Sequence, residues 1–514
     1  MKLTDADYKR RVENGFSFGE LPKTFQDAIR LSRFLCTDYI WIDSLCILQD
    51  NKKDWLQESK TMADVYRFSR CNIAATASQA STEGCFYDRD PRLVSPLEIM
   101  VRLQKAGGGS PKKRYLFFDP GVWKDNVEAA PLNKRAWVLQ ERTLAPRQIH
   151  CGRKQLSWEC HETSAYETFP FSSRFQGRVM PSGWDWTYRL PSITPVLSEM
   201  IRLISSEIGD SKFPKEHISY ESLLHQYGIG EVSTIQRRLA DVEGTAWDMS
   251  FALLKNCINR EWVNIVNHYS GCKSTYRADK LTAISGIASR IQDVLKSSDY
   301  YVAGLWKSEL PLQLLWKVEW QKRMNEKNEP SDLIPSYTIA PSWSWACLNI
   351  EVHMLHNCSY CPPTYPMIKV DGVRDVHNID GTKEWDLKLR CRLYEIYSLT
   401  ARANESIQDG LTGFILVGSR NVHLRWGPNR ISMDSPDSIN PREQAYLMPA
   451  INLYEDGFHD ADRRYIEGLV VRSCEGRQGY YRRIGWWSTN ALDSDCKHEI
   501  LAAQEESQVT ITLI

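Results

Sequence analysis

The chain has no excess charge of either sign: 64 basic and 64 acidic residues cancel, so no global field favours nucleic acid or an anionic membrane surface. It also has no run of about 18 consecutive apolar residues, the length that crosses a bilayer. Its opening, MKLTDADYKR, puts charges where a secretory leader needs an apolar core. These absences predict a cytoplasmic chain with no membrane span and no nucleic-acid partner. The 14 cysteines form no tight framework, so reduced and mostly buried thiols are expected. No repeat of fixed period occurs. The glycines of KAGGGSPKKR (Lys105–Arg114) lack a following Gly-Lys-Ser/Thr, which makes the stretch an exposed loop between two strands and not a phosphate cradle.

What is present is ordinary globular composition, 42% hydrophobic and 25% charged, with many aromatic plates in 18 Trp and 23 Tyr. A length of 514 residues exceeds one hydrophobic core and implies roughly two to four domains. Periodicity predicts helices over Leu21–Cys36 and Trp55–Phe68, a helical or turn-like stretch over Trp137–Leu144, and strands over Tyr39–Ile42, Asn72–Ala77, Tyr115–Phe118 and Gln148–Trp158. Strands separated by a helix imply a right-handed crossover, hence an α/β domain with a parallel sheet over 1–165. A helical region over 166–336 follows, with patterns at Ile193–Ile208, Gly244–Asn256, Glu261–Tyr269 and Ala278–Val294. Residues 337–514 are β-rich: Trp385–Tyr397, Gly413–Val417, His423–Trp426, Ala445–Leu453, Ile466–Arg472 and Val509–Leu513 read as an antiparallel sheet or sandwich.

The most informative stretch is YIWIDSLCILQDNKKDWLQESKTMADVY (Tyr39–Tyr66). Its β-branched and aromatic start reads as a buried strand ending on Asp43, Ser44 and Cys46, and ligand chemistry in parallel α/β sheets collects at such carboxyl ends. Asp54, with Gln57 three residues on, has capping-box spacing for a helix beginning at Trp55. At about 100° per residue, Trp55, Met62, Val65 and Tyr66 share one face, and Glu58 falls between Trp55 and Met62 on that apolar side. A carboxylate there is either satisfied at the edge of the stripe by an Arg or a backbone amide, or is a perturbed functional group.

The blocks LPKTFQDAI (Leu21–Ile29), YIWIDSLCILQD (Tyr39–Asp50), DWLQESKTMADVY (Asp54–Tyr66), NIAATAS (Asn72–Ser78), RAWVLQERTLAPRQIHCG (Arg135–Gly152) and QLSWEC (Gln155–Cys160) closely resemble the fungal heterokaryon-incompatibility (HET) domain. Later pieces, YSGCKSTYRADKLTAISGIA (Tyr269–Ala288), YVAGLW (Tyr301–Trp306), APSWSWAC (Ala340–Cys347) and YYRRIGWW (Tyr480–Trp487), resemble the extended form of these proteins. The resemblance implies a fungal protein of non-self recognition and regulated cell death, working through protein partners or self-association, with a distant kinship to the Toll/interleukin receptor-like (TIR) fold. Some TIR domains cleave NAD⁺ with a helical glutamate preceded three residues earlier by Trp, and Trp55-x-x-Glu58 is similar. HET domains usually open with a strand resembling A-L-S-Y-x-W-G. Here MKLTDADYKRRVENGFSFGE precedes Leu21, so the first sheet strand is expected to be missing or replaced, leaving sheet hydrogen-bonding groups exposed.

For NAD⁺ cleavage, in which NAD⁺ is a substrate and no cofactor is required, the resemblance casts Glu58 as the catalytic carboxylate. Asp43 is then a second polar group, Trp41 and Trp55 the stacking surfaces, and Arg142 a partner for phosphate or for Glu58. The competing reading is a non-catalytic signalling and oligomerisation module, with Asp43 capping its turn and Glu141 and Arg142 forming a buried ion pair. Cys46 is either a nucleophile served by His150 or His161, or a small buried hydrophobe. His353, His356, Cys358 and Cys361 have zinc-ligand types but lack the spacer of a zinc knuckle, and no metal is assigned to them. Arg482 and Arg483, set among aromatics, are expected to point outward from a strand whose aromatic face is packed.

Overall fold

The computed structural model describes residues 1–101, 112–117, 121–160, 164–168, 258–259, 261–295, 299–318, 334–354, 365–377, 383–401, 411–417, 420–425, 431–435, 444–454, 464–488 and 508–514, with a few isolated positions besides. Two compact units are present. The first is Met1–Arg202 with Cys272–Ser274 and Thr282–Ser289; the second is Leu203–Gly271 with Thr275–Leu281 and Arg290–Ile514. Of the helices expected in the middle region, those over 193–208 and 244–256 lie outside the described residues. Helix occupies 261–270 and Lys280–Leu295. Among the described residues no helix is long and apolar enough to cross a membrane.

In the first unit, helices α1 (Asp5–Asn14), α2 (Lys23–Phe34), α3 (Asp43–Cys46) and α4 (Lys52–Arg67) precede strand β1 (Asn72–Ala74). An antiparallel pair, β2 (Leu97–Val101) with β3 (Lys113–Phe117), follows; most of the glycine-rich stretch lies outside the described residues. Helix α5 (Ala136–Leu144) then leads into β4 (Arg147–Cys151), β5 (Leu156–Cys160) and β6 (Ser164–Tyr166). The main sheet has the order β1-β4-β5-β6. Only β1 and β4 run parallel; β4–β5 and β5–β6 are antiparallel. The sheet is therefore small and mixed, and the expected parallel sheet is corrected: the single run Gln148–Trp158 folds into a hairpin, and a hairpin is antiparallel by construction.

A second correction concerns Tyr39–Ile42. The segment is extended at Ile42 (φ −132°, ψ 117°) yet joins no ladder, and Tyr39 is 91% exposed. Strand composition reports a tendency, and the tendency becomes a strand only where a neighbour supplies hydrogen bonds. The cap of α4 also differs from expectation. Asn51 accepts from the amides of Lys53 and Asp54 at 3.1 Å each, so the helix begins three residues before Trp55. Asp54, released from capping, accepts the amide of Leu48 at 2.8 Å and holds the turn that brings α3 back to α4.

Helix α2 buries Asp27 along with Ala28 and Ser32. The fully buried Asp27 carboxylate takes Lys23 at 2.5 Å, Arg30 at 2.9 Å and the Cys85 amide at 3.0 Å. Gly84 is required beside it: its φ is +90°, and a Cβ there would lie 2.5 Å from Asp27 Oδ2. Burial alone would push the Asp27 carboxyl up, but Lys23, the Cys85 amide and Arg30 together hold it below its ordinary value.

The second unit is strand-rich, as expected. Its large sheet runs Lys369–His377, Lys383–Cys391, Val509–Leu513, Tyr480–Ser488, Arg464–Ser473, Ala445–Tyr454, Tyr394–Ala401, Leu411–Val417, Arg420–Arg425. Every neighbouring pair is antiparallel except Tyr480–Ser488 with Val509–Leu513. Trp487, Leu447, Ile466, Val470 and Ile484 anchor one core cluster. The expectation that Arg482 and Arg483 both face outward fails for Arg483, which is 1% exposed. A register shift between Val470 and Val471 places Gly485 and then Arg483 in succession on the ladder, and such a bulge reverses the alternation of faces. Arg483 is held by Asp434 at 2.5 Å and by the carbonyl of Trp316, and it stacks 3.2 Å over the Trp316 ring. Even so, burial keeps the Asp434 carboxyl raised to about 6.

Two outcomes follow. The depressed Asp27 carboxyl gives stability that is present above the unfolded carboxylate range and lost as pH falls through the folded value. Asp27→Asn should therefore lower the urea stability by about 1–3 kcal/mol at pH 7 and by far less at pH 3. Arg483→Met should cost about 3–5 kcal/mol in the same assay by leaving Asp434 buried and unpaired, and adding Asp434→Asn should recover part of the loss.

Candidate functional site

The site is built on α3, α4 and α5. Helix α5 is the most constrained of these, burying Ala136, Val138, Leu139, Gln140, Arg142, Thr143 and Leu144. Its start is fixed by the Ala136 amide donating to the Lys273 carbonyl at 2.9 Å, and its middle by Gln140 Oε1 accepting the Gly286 amide at 3.0 Å. Its last turn is locked by Arg142, whose side chain is 3% exposed and donates through Nε to Glu159 Oε2 at 2.8 Å. His150 Nε2 meets the same oxygen at 2.9 Å, and its Nδ1 lies 3.2 Å from Thr76 Oγ1. Trp123 closes the network, edge-on to the His150 ring at 5.7 Å.

Burial would raise Glu159, but Arg142 and His150 outweigh it and bring the carboxyl down to about 2. Burial also lowers His150, so the imidazole is neutral at pH 7 and gives its Nε2 proton to the Glu159 carboxylate. This network is structural. Arg142, expected to meet phosphate or Glu58, is instead committed to Glu159, and neither Glu141 nor Glu58 is its partner. His150 is sealed against Trp123 and Glu159, so it does not serve Cys46.

Glu141, one residue before Arg142, faces the other way. It accepts a hydrogen bond from the Tyr66 hydroxyl, with the Asp43 and Arg135 charges nearby. Burial, helped by Asp43, pushes its carboxyl up to about 7 while Arg135 and Tyr66 pull against them. Burial and the Glu141 and Asp43 charges push the Tyr66 phenol well above its usual range. Trp41 packs edge-on to Tyr66 at 5.7 Å, and Trp55 packs edge-on to Trp137 at 6.2 Å.

Asp43 is exposed at the start of α3 and accepts the Ser44 amide at 2.7 Å. Glu58 is half-buried on α4; its only side-chain hydrogen bond among the described residues is a long one from Thr61 Oγ1, at 3.5 Å, and no cation pairs with it there. Cys46 lies exposed near both carboxylates. Burial of its sulfur and the Asp43 and Glu58 charges raise its thiol, which is the wrong direction for a nucleophile. The structure thus gathers Asp43, Tyr66, Glu141 and Arg135 in one neighbourhood, with Trp41 against Tyr66, and brings Asp43 and Glu58 within electrostatic reach of Cys46. Tyr66 and Arg135 carry no signal as site residues when read by periodicity, because a face-sharing Tyr and an Arg ahead of a helix are commonplace. Of the cluster His353, His356, Cys358 and Cys361, to which no metal is assigned, only His353 is described, in the strand Val352–His353; the other three lie outside the described residues.

A carboxyl whose folded value lies above its unfolded value opposes folding as pH rises through the interval between them. Glu141→Gln should therefore leave stability unchanged near pH 4 and raise it by something on the order of 1–3 kcal/mol at pH 8, read from urea midpoints at both pH values.

Comparison with curated proteins and with solved structures finds no significant match. A family model does match: residues 3–141 fit the one described as Heterokaryon incompatibility protein (HET), a stretch that contains α1 through Glu141. The match is confined to that stretch, and Asp43, Glu58, Tyr66 and Glu141 all lie inside it.

Proposed function

We propose that this chain acts in heterokaryon-incompatibility-type recognition in a fungal cell, and that its HET domain drives regulated cell death by hydrolysing NAD⁺. The observation that carries the reading is the group of three carboxylates, Asp43, Glu58 and Glu141, inside the matched domain, one of them raised to about 7 and one without a cation among the described residues. The glycosidic bond between C1′ of the ribose and the nicotinamide nitrogen breaks with its electron pair leaving on nicotinamide, which departs neutral. Positive charge develops on C1′, where Glu58 stabilises it and Asp43 orients the ribose hydroxyls. Water then adds to C1′ and passes its proton to Glu141, giving ADP-ribose; a group with a value near 7 is suited to that transfer. Trp41 and Trp55 supply aromatic surface, and the exposed Arg135 supplies the cation for the diphosphate. Arg142 stays outside this assignment because Glu159 holds it.

The second reading is a module that signals by assembly without chemistry, and the edge of β1 that no strand pairs among the described residues favours it. Purified full-length chain, concentrated to force assembly, should release nicotinamide from NAD⁺, with Glu58→Gln slowing release by about 100-fold or more. If the parent and Glu58→Gln are both silent while both still kill cells on expression, catalysis is excluded and the assembly reading stands.

A further inference from the structure

We infer that the groove between Tyr39–Ile42 and β1 is a docking site for an extended peptide strand of a partner protein, apolar in character and carrying an acidic residue. Three observations, independent of the carboxylate chemistry, converge on it.

The first is unpaired backbone on both walls. Among the described residues, the main chains of Tyr39, Ile40 and Trp41 make no hydrogen bond. Across the groove, β1 pairs with β4 on one side and with no strand on the other. Two extended segments facing each other with unused donors and acceptors are what an inserted strand satisfies, by β-augmentation. The second is the space itself. A cavity of about 900 Å³ is lined by Ile40, Trp41 and Ile42 from the first segment and by Asn72 and Ile73 from β1, together with Val65 and Trp158. Its lining includes Tyr39, a large apolar side chain that is 91% exposed, and exposed apolar surface of this kind marks a protein contact.

The third is charge. Arg70 and Arg147 line the groove and no carboxylate does. Both are exposed, and among the described residues their hydrogen bonds are long ones to carbonyls: Arg70 to Cys36 at 3.4 Å and Arg147 to Arg70 at 3.5 Å. They are available to a carboxylate, which selects an acidic side chain on the incoming strand over a neutral or basic one.

The test uses the full-length chain and a fluorescein-labelled hexapeptide, acetyl-Ile-Thr-Val-Thr-Val-Glu-amide, read by anisotropy. Saturable binding is expected. Methylating alternate backbone nitrogens of the peptide should weaken it by about 10-fold or more, because strand pairing is lost while the side chains remain. Arg70→Glu, an exposed position whose folding is checked by circular dichroism, should weaken the Glu peptide, and a Lys-for-Glu peptide should regain affinity for that variant. Equal affinity for the parent and N-methylated peptides overturns the inference, as does absence of binding to any of them. Concentration-dependent dimerisation in the ultracentrifuge that Tyr39→Asp abolishes, with no peptide bound, gives the groove to a second copy of the chain and likewise overturns it.

Discussion

Everything in the candidate site depends on the buried clamp in which one carboxylate, Glu159, is shared by Arg142 and His150. A guanidinium taken out of water is costly unless its partner is fixed and correctly aligned, and Glu159 is fixed by lying on β5 opposite Gln148 of β4. The clamp sets the rotation of α5 about its own axis. With Arg142 directed at the sheet, the preceding residue Glu141 is turned towards Tyr66 and Asp43. A structural ion pair and a perturbed carboxyl therefore occupy adjacent positions in sequence, and the first dictates the environment of the second.

That division of labour explains why the charges behave so differently over a short span. Glu159 is matched by a cation and is driven down; Glu141 has a phenol and a second carboxylate for company and is driven up. Asp43 is exposed and Glu58 half-buried, so both lie closer to water than Glu141 or Glu159.

Much of this was legible before any coordinates. The helices α2, α4 and α5, the β-rich second unit and the importance of the Tyr39–Tyr66 stretch follow from periodicity and from tryptophan-anchored blocks, because burial of an apolar face is a local property of sequence. What was not legible depended on partners remote in sequence. Tyr39–Ile42 has the composition of a strand, but a ladder needs a neighbour. Asp27 is fully buried because Lys23, Arg30 and the Cys85 amide converge on it, and the amide comes from 58 residues away. Arg483 faces inward because an extra residue, Ile484, bulges from its own strand and shifts the register against the adjoining one, and apolar-polar alternation along a sequence does not show where a bulge falls. Arg142 has a type and position that suggest phosphate, Glu58 or Glu141 as its partner, whereas Glu159, 17 residues on in a strand, is what it meets.

One feature of the second unit bears on how the molecule is made. Of the described strands, Val509–Leu513 comes latest in the chain, yet it lies inside the sheet, between Lys383–Cys391 and Tyr480–Ser488. Without it the Lys369–His377 and Lys383–Cys391 hairpin has no ladder to the remaining strands. During synthesis the Lys383–Cys391 edge must therefore wait for more than a hundred intervening residues to emerge, and the Tyr480–Ser488 edge for about twenty, before the five-residue strand Val509–Leu513 joins them. The described strands between Tyr394 and Ser488 can pair among themselves in the meantime, because their ladders do not involve Val509–Leu513. The first hairpin is thus the part that docks late, and a sheet edge left waiting is open to wrong pairing.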